Sequence, residues 1–406
     1  MNILFVVPYV PSLVRVRPYN LIRSLADRGH QVTVFTVWVN EQERELVEQL
    51  RQYVYEVRAL PMPAWRSFIN CVPALFSGEP LQASYSWDAQ LVSHINGHSP
   101  YDVVHVEHLR GARYGLQLKA NTHLPVVWDS VDCISHLFKQ AVAKSNDPVG
   151  RLRSMFDLKR TEKYEGWLLD KFNHILVTSP VDKEALLSLK PADNKASSIS
   201  VVPNGVDINT FRPDPIIEPD PSTIVISGKM SYHANVSMVM HLFHDIMPHV
   251  WAKRSDARLL IVGQDPTREV QALEAHPMVT VTGTVPEIRP FLCQATVAVT
   301  PITYGAGIQN KVLEAMACGT AVVTTSQAVS AIDIVPDRDL LVADGDEAFA
   351  EAILILLNDS NYRRQLGDAG RTYIETHHLW TTSAERLEKI YESVLIRSGE
   401  PQYIDN

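Results

Sequence analysis

Tyr304-Gly-Ala-Gly-Ile-Gln-Asn-Lys-Val-Leu-Glu-Ala-Met-Ala-Cys-Gly319, running on into Thr320-Ala-Val-Val-Thr-Thr325, decides how this chain is read. It predicts a tight loop, then a short helix, then a buried strand. A helix that opens after a glycine-rich loop presents free backbone N–H groups and the positive end of its dipole, which together suit a phosphate. Lys311 and Glu314, three positions apart, share one helical face, while Val312, Ala315 and Met316 face inward. A cation and a carboxylate beside such a helix start point to a nucleotide site. The plainer alternative is a surface ion pair worth about 0.2–0.5 kcal/mol.

Outward from this stretch, short apolar runs alternate with amphipathic segments, the pattern of parallel α/β sheets. Strands are expected at Thr223 to Ser227, Leu259 to Val262, Val279 to Thr282, Thr296 to Thr300 and Ala321 to Thr324. In the first half they are expected at Ile3 to Val7, Gln31 to Val39, Val103 to Val106, Val126 to Trp128, Ile175 to Thr178 and Ser200 to Val202. Helices are expected over 18–28, 41–52, 85–96, 150–170 and 181–190. At Val202-Pro-Asn-Gly-Val-Asp207 the texture changes, and Pro213, Pro215, Pro219 and Pro221 follow closely, which marks a domain boundary. A chain of 406 residues is too long for one ordinary core. Two doubly wound Rossmann-like domains are therefore expected, facing a central ligand cleft.

The segment from 346 to about 396 reads as helical, with Asp346 as an N-cap. That capping role also accounts for Asp344-Gly-Asp346, whose spacing superficially resembles a metal-binding pair. The prolines and aromatics between Pro61 and Trp87 break the alternation. Packing beneath a long excursion is the expectation, with an acceptor-facing or membrane-facing loop as the alternative.

Composition excludes several classes. A formal charge of −9 and a pI near 5.9 give no support for a nucleic-acid partner. The four cysteines lack paired metal spacing and are expected to be reduced. No zinc pattern, Gly-x-Ser-x-Gly elbow, Walker loop or dinucleotide fingerprint is present. The start has no basic region ahead of its apolar run, and no apolar run is long enough to span a bilayer. A cytoplasmic protein is expected, with peripheral contact at the inner face of a membrane left open.

Val202-Pro-Asn-Gly-Val-Asp207 with Phe211-Arg-Pro213, Ile226-Ser-Gly-Lys-Met230, Leu260-Ile-Val-Gly263, Val281-Thr-Gly-Thr-Val285 and Lys311-Val-Leu-Glu-Ala-Met-Ala-Cys-Gly319 together resemble the retaining glycosyltransferase family 4 of GT-B fold. The combination of Ser227-Gly-Lys-Met and Asn235 with Gly-Ile-Gln-Asn-Lys311 is similar to the branch of sugar transferases found with bacterial exopolysaccharide systems. The resemblance extends over nearly the whole chain and is strongest from about 199 to 378. It implies residues 1–205 as an acceptor-side domain, 206–378 as the nucleotide-sugar donor domain, and 379–406 as a helical tail packing back on the first. The implied activity is transfer of a sugar from a nucleoside-diphosphate donor to a hydroxyl of a glycan, lipid-linked or small-molecule acceptor. Anomeric configuration is retained, no metal or other cofactor takes part, and the setting is polysaccharide or glycoconjugate synthesis. Two alternatives stand beside it, a nucleotide-sugar epimerase and a non-catalytic nucleotide-sugar-binding protein of an assembly.

The same resemblance assigns Glu314 to the ribose hydroxyls, and Lys229 and Lys311 to the diphosphate. Gly307, Ile308, Gln309 and Asn310 would surround the phosphates, and Val285 would meet the base. Two departures stand out: Ala306 replaces the family's first glutamate, and Val131-Asp132 replaces a frequent His-Asp pair. On the first domain His108 is a candidate for orienting sugar or acceptor, ahead of His105. Arg15 and Arg17 are candidates for an anionic group, against helix-flanking surface charge. Asp129 and Asp132 follow a strand on the ligand-binding side, where turn capping is an equal account.

Overall fold

The computed structural model describes residues 1–96, 99–144, 148–190, 197–304 and 308–399. The chain divides into two units, one of Met1–Lys139, Arg153–Pro203 and Trp380–Asn406, the other of Gln140–Leu152 and Asn204–Leu379.

The first unit holds β1 (Asn2–Val7), β2 (Gln31–Trp38), β3 (Glu56–Pro61), β4 (Val103–Glu107), β5 (Val126–Val131), β6 (His174–Val177) and β7 (Ile199–Val201). They form one seven-stranded sheet in the order β3-β2-β1-β4-β5-β6-β7, parallel throughout. Both faces are covered, so the strands are apolar on both sides. In β1, Ile3, Phe5 and Val7 enter one core, while Leu4 and Val6 enter the other. Helix Trp380–Gly399 joins the first of these cores through Trp380, Ala384, Leu387 and Tyr391.

The second unit repeats the plan with β8 (Thr223–Ser227), β9 (Arg258–Val262), β10 (Val279–Val281), β11 (Val297–Thr300), β12 (Val322–Thr324) and β13 (Leu341–Val342), in the order β10-β9-β8-β11-β12-β13. Ile224 and Ile226 of β8 face one core and Val225 the other. In each sheet the strand order reverses between two adjacent strands, β1 and β4 in the first, β8 and β11 in the second. Ligands of such sheets bind outside the carboxyl ends of the strands at this reversal.

Two expectations change. Gly345, at φ 88°, is the N-cap of helix Asp346–Asn358, and Asp346 instead receives His241 Nε2 at 2.7 Å. The excursion after Pro61 packs only in part: Met62 and Trp87 join the core of the first unit, but Ala64–Ser77 is a helix whose large apolar side chains are exposed.

Candidate functional site

In the second unit, the reversal point is built by the turn after β8, the segment after β11 and helix Asn310–Ala317. Gly263 lies so close to Gly228 that a Cβ on Gly263 would overlap the Gly228 carbonyl oxygen. That approach fixes the turn carrying Lys229. Asn235 then ties the pieces together: its Nδ2 donates to the Lys229 carbonyl at 3.0 Å, and its Oδ1 accepts from Lys311 Nζ at 2.6 Å. Tyr304, buried after β11, is hydrogen-bonded through its hydroxyl to His233 Nδ1 at 2.8 Å and stacked on that ring.

Lys311 and Glu314 are half-buried, and no ion pair joins them. Lys311 rests on a neutral amide. Burial lowers its ammonium pKa to about 8, with the Glu314 charge acting against the shift. Burial likewise raises the Glu314 carboxyl to about 7, opposed by Lys311. Two charges desolvated without close pairing are held at a cost unless a ligand completes them. Lys229 is exposed and pairs loosely with Asp265 at 3.5 Å. Asn310 accepts from Asn204 Nδ2 at 3.2 Å, and the Val312 amide of its helix turns back to the Gln309 carbonyl at 2.9 Å. Ile308 points into the adjacent core, and Val285 packs half-buried against the same cluster. Gln309 is the N-cap residue. Gly307 and Ala306 lie outside the described residues.

In the first unit, Arg15 and Arg17 part company. Arg15 is exposed over the ring of Tyr9 at 4.7 Å. Arg17 is buried, paired with Asp129 at 2.7 Å and donating to the Val202 carbonyl at 2.9 Å. The expectation of an anion-holding Arg17 and a ligand-facing Asp129 is corrected, because each is the other's counter-ion inside the fold. His105 belongs to the same buried group, 3.6 Å from Asp129 and bonded to the Tyr391 hydroxyl at 2.7 Å. Burial, opposed by Asp129, lowers its pKa to about 4, so it is a neutral structural histidine. Asp132 accepts from Thr178 at 3.2 Å, and burial together with Asp182 raises its carboxyl to about 7.

His108 and Val131, at the exits of β4 and β5, both adopt positive φ, 65° and 68°. Such a conformation is strained for a β-branched residue and concentrates at functional sites. His108 Nδ1 accepts from the Arg110 amide at 3.4 Å, which leaves Nε2 carrying the proton. Burial, with Arg110 and Arg15 adding to it, lowers the His108 pKa to about 3. It is suited to donate a hydrogen bond, not to take a proton.

Sequence reading missed the role of Glu107, which is 2% exposed and accepts from the Tyr9 hydroxyl at 3.1 Å. Burial, then the Asp129 charge, raises its carboxyl to about 8. Beside these residues a cavity of about 350 Å³ opens, lined by Pro8, Tyr9, Arg15, Tyr85, Ser86 and Arg110 among others. Among the described residues no cluster of three or more His, Cys, Asp or Glu is placed to hold a metal.

A family model described as "Glycosyltransferase Family 4" matches residues 14–210, and one described as "Glycosyl transferases group 1" matches 221–359. The chain belongs to the GT-B glycosyltransferases of family 4 type. Over 400 residues this transferase is 24% identical to a component of human phosphatidylinositol N-acetylglucosaminyltransferase, covering 94% of this chain and 73% of that one. It is 27% identical over 240 residues to a GDP-mannose-dependent phosphatidylinositol monomannoside mannosyltransferase of Corynebacterium glutamicum, covering 53% of this chain and 62% of that one. Among solved structures, sucrose-phosphate synthase of Thermosynechococcus elongatus superposes with a TM-score of 0.69 at 18% identity, covering 98% of this chain and 100% of that one. Anabaena HepE in complex with UDP and glucose gives 0.69 at 14%, covering 97% and 100%. Among the described residues no helix is long and apolar enough to cross a membrane.

Proposed function

We propose that the transferase moves a sugar from a nucleoside-diphosphate donor, bound by the second unit, to a hydroxyl of an acceptor bound by the first. Retention of configuration at the anomeric carbon, the absence of any metal requirement and a place in glycoconjugate or polysaccharide synthesis belong to the same reading. The observation that carries it is Lys311, half-buried on the neutral side chain of Asn235, with Glu314 one turn on and not paired to it. An ionised Glu314 accepts hydrogen bonds only, which suits the two hydroxyls of a ribose. Lys311 and Lys229 then face the diphosphate. Cleaving the sugar–phosphate bond builds negative charge on the leaving diphosphate, and positioned cations stabilise that charge as it develops. Here the lysines supply the positive charge.

Acceptor recognition is assigned to the cavity beside Tyr9, where Arg15 and Arg110 offer cations. Several relatives carry names built on phosphatidylinositol or inositol phosphate, which favours an acceptor with an anionic group near Arg15.

Calorimetric titration of UDP-, GDP- and ADP-sugars into the wild type and Glu314→Ala tests the donor assignment. One nucleotide sugar should bind the wild type and lose affinity in the variant; equal affinity would refute the ribose role. NMR of the product linkage tests retention, and an inverted anomer would end that part of the reading.

A further inference from the structure

Helix Ala64–Ser77 turns its apolar side to solvent. Trp65, Phe68, Ile69, Val72, Leu75 and Phe76 recur at the spacing of one helical face and are 41–87% exposed, while the buried positions are the small Ser67 and Ala74. A surface helix ordinarily does the reverse. The neighbouring helix Pro148–Leu168 extends the patch with exposed Met155 and Phe156. Arg160 joins the two helices, donating to the carbonyls of Ala74 and Leu75 at 3.2 and 3.1 Å. A contiguous apolar surface of this kind marks an interaction site.

Charge selects the occupant. Residues 57–78 contain no Asp or Glu, in a chain whose net charge is −9. On the neighbouring helix the acids are occupied: Asp157 and Glu165 are buried, and Glu162 pairs with Lys139 at 2.7 Å. Lys159 and Lys163 stand exposed at the four-residue spacing that begins with Met155, so cations border the apolar face. An aromatic and branched apolar face with a cationic border fits a helix lying in the headgroup region of an anionic bilayer. A second copy of the chain would instead bring cations against cations. We propose that helix Ala64–Ser77, with the adjoining part of Pro148–Leu168, docks the protein on an anionic lipid surface. This is independent of the donor assignment, since it requires no nucleotide sugar.

The test is co-sedimentation of the full chain, without nucleotide, with vesicles of equimolar phosphatidylcholine and phosphatidylglycerol and with vesicles of phosphatidylcholine alone. The wild type should sediment with the anionic vesicles in preference to the neutral ones. Phe68→Ser/Phe76→Ser should lower the partition coefficient by about tenfold or more, at an unchanged melting temperature, because both side chains are already in water. Lys159→Glu/Lys163→Glu should erase the preference for anionic vesicles. A wild type that stays in the supernatant with both compositions overturns the proposal, as does a Phe68→Ser/Phe76→Ser partition equal to wild type. A dimer that this double substitution dissolves, with no vesicle binding, would make the face a self-association surface and overturn it too.

Discussion

At the β1/β4 reversal point Arg17 meets Asp129 at 2.7 Å in the interior, and the Tyr9 hydroxyl closes on Glu107 at 3.1 Å. At the β8/β11 reversal point Lys311 rests on the amide of Asn235, and Glu314 has no ionic partner among the described residues. The two sheets share one winding, yet the first resolves most of its buried charge within the protein and the second does not. Charge that is neutralised internally holds a fold together. Charge that is desolvated without a counter-charge is stored for a ligand that brings one.

The sharpest way to break this contrast is to remove one member of the internal pair. Arg17→Met strips the buried Asp129 carboxyl of its guanidinium partner, and should cost about 3–5 kcal/mol of stability. Thermal and denaturant unfolding measure the loss. Donor affinity, which the proposed function assigns to the second unit, should survive in whatever fraction remains folded.

Lys311→Met should do the opposite. It relieves a buried charge that rests on a neutral amide, so the melting temperature should hold or rise, while kcat/KM falls by about 10²–10³. Acidity sharpens the same point. Below about pH 7 Glu314 is protonated and loses the carboxylate that the proposed ribose role requires; above about pH 8 Lys311 loses its charge. Donor affinity should therefore peak between those values. Titration calorimetry across pH should show the alkaline limb vanish in Lys311→Met and the acid limb in Glu314→Gln.

Glu107 tests the first reversal point from within. Its folded carboxyl keeps a proton up to about pH 8, whereas an unperturbed one releases it near 4.5. Between those values the folded state binds more protons than the unfolded one, so this residue makes stability fall as pH rises. Glu107→Gln keeps the shape without the titration. The variant should match the wild type near pH 4.5 and exceed it by on the order of 3 kcal/mol at pH 7, read from unfolding curves at each pH.

The alternation of apolar runs was enough to read β8, and most other strands to within a residue or a few, because buried parallel strands are apolar on both faces. It failed at β3 and β13. β3 is an edge strand of mixed polarity ending in Pro61, and β13 is only Leu341–Val342, too short for a period to register. Helix Ala64–Ser77 was hidden by its prolines and by an apolar face that points to water. At the candidate sites, the shared face of Lys311 and Glu314 is local and legible. The Asn235 amide that holds Lys311 comes from 76 positions away, and Arg17 reaches Asp129 across 112. Nothing near Arg17 in sequence separates it from Arg15, yet one is buried and the other exposed.

Lys229 gives the smallest effect and the finest discrimination. It belongs to the second reversal point by position, but its side chain is exposed and its partner Asp265 sits at 3.5 Å in water. An exposed pair of this kind is worth about 0–1 kcal/mol, so Lys229→Ala should leave the melting temperature where it is. If the lysine meets the diphosphate only as charge develops there, kcat should fall by about tenfold with little change in KM, since an interaction made only in the transition state lowers kcat and kcat/KM together. Added salt should narrow the gap between wild type and Lys229→Ala, because solvent screens an exposed cation; Lys311, half-buried, should be far less sensitive. Asp265→Asn supplies the control: freeing Lys229 from its loose partner should leave kcat unchanged or raise it. A loss of kcat there equal to that of Lys229→Ala would mean that the ion pair itself shapes the turn, and that the exposed lysine belongs with the internally neutralised charges of the first unit.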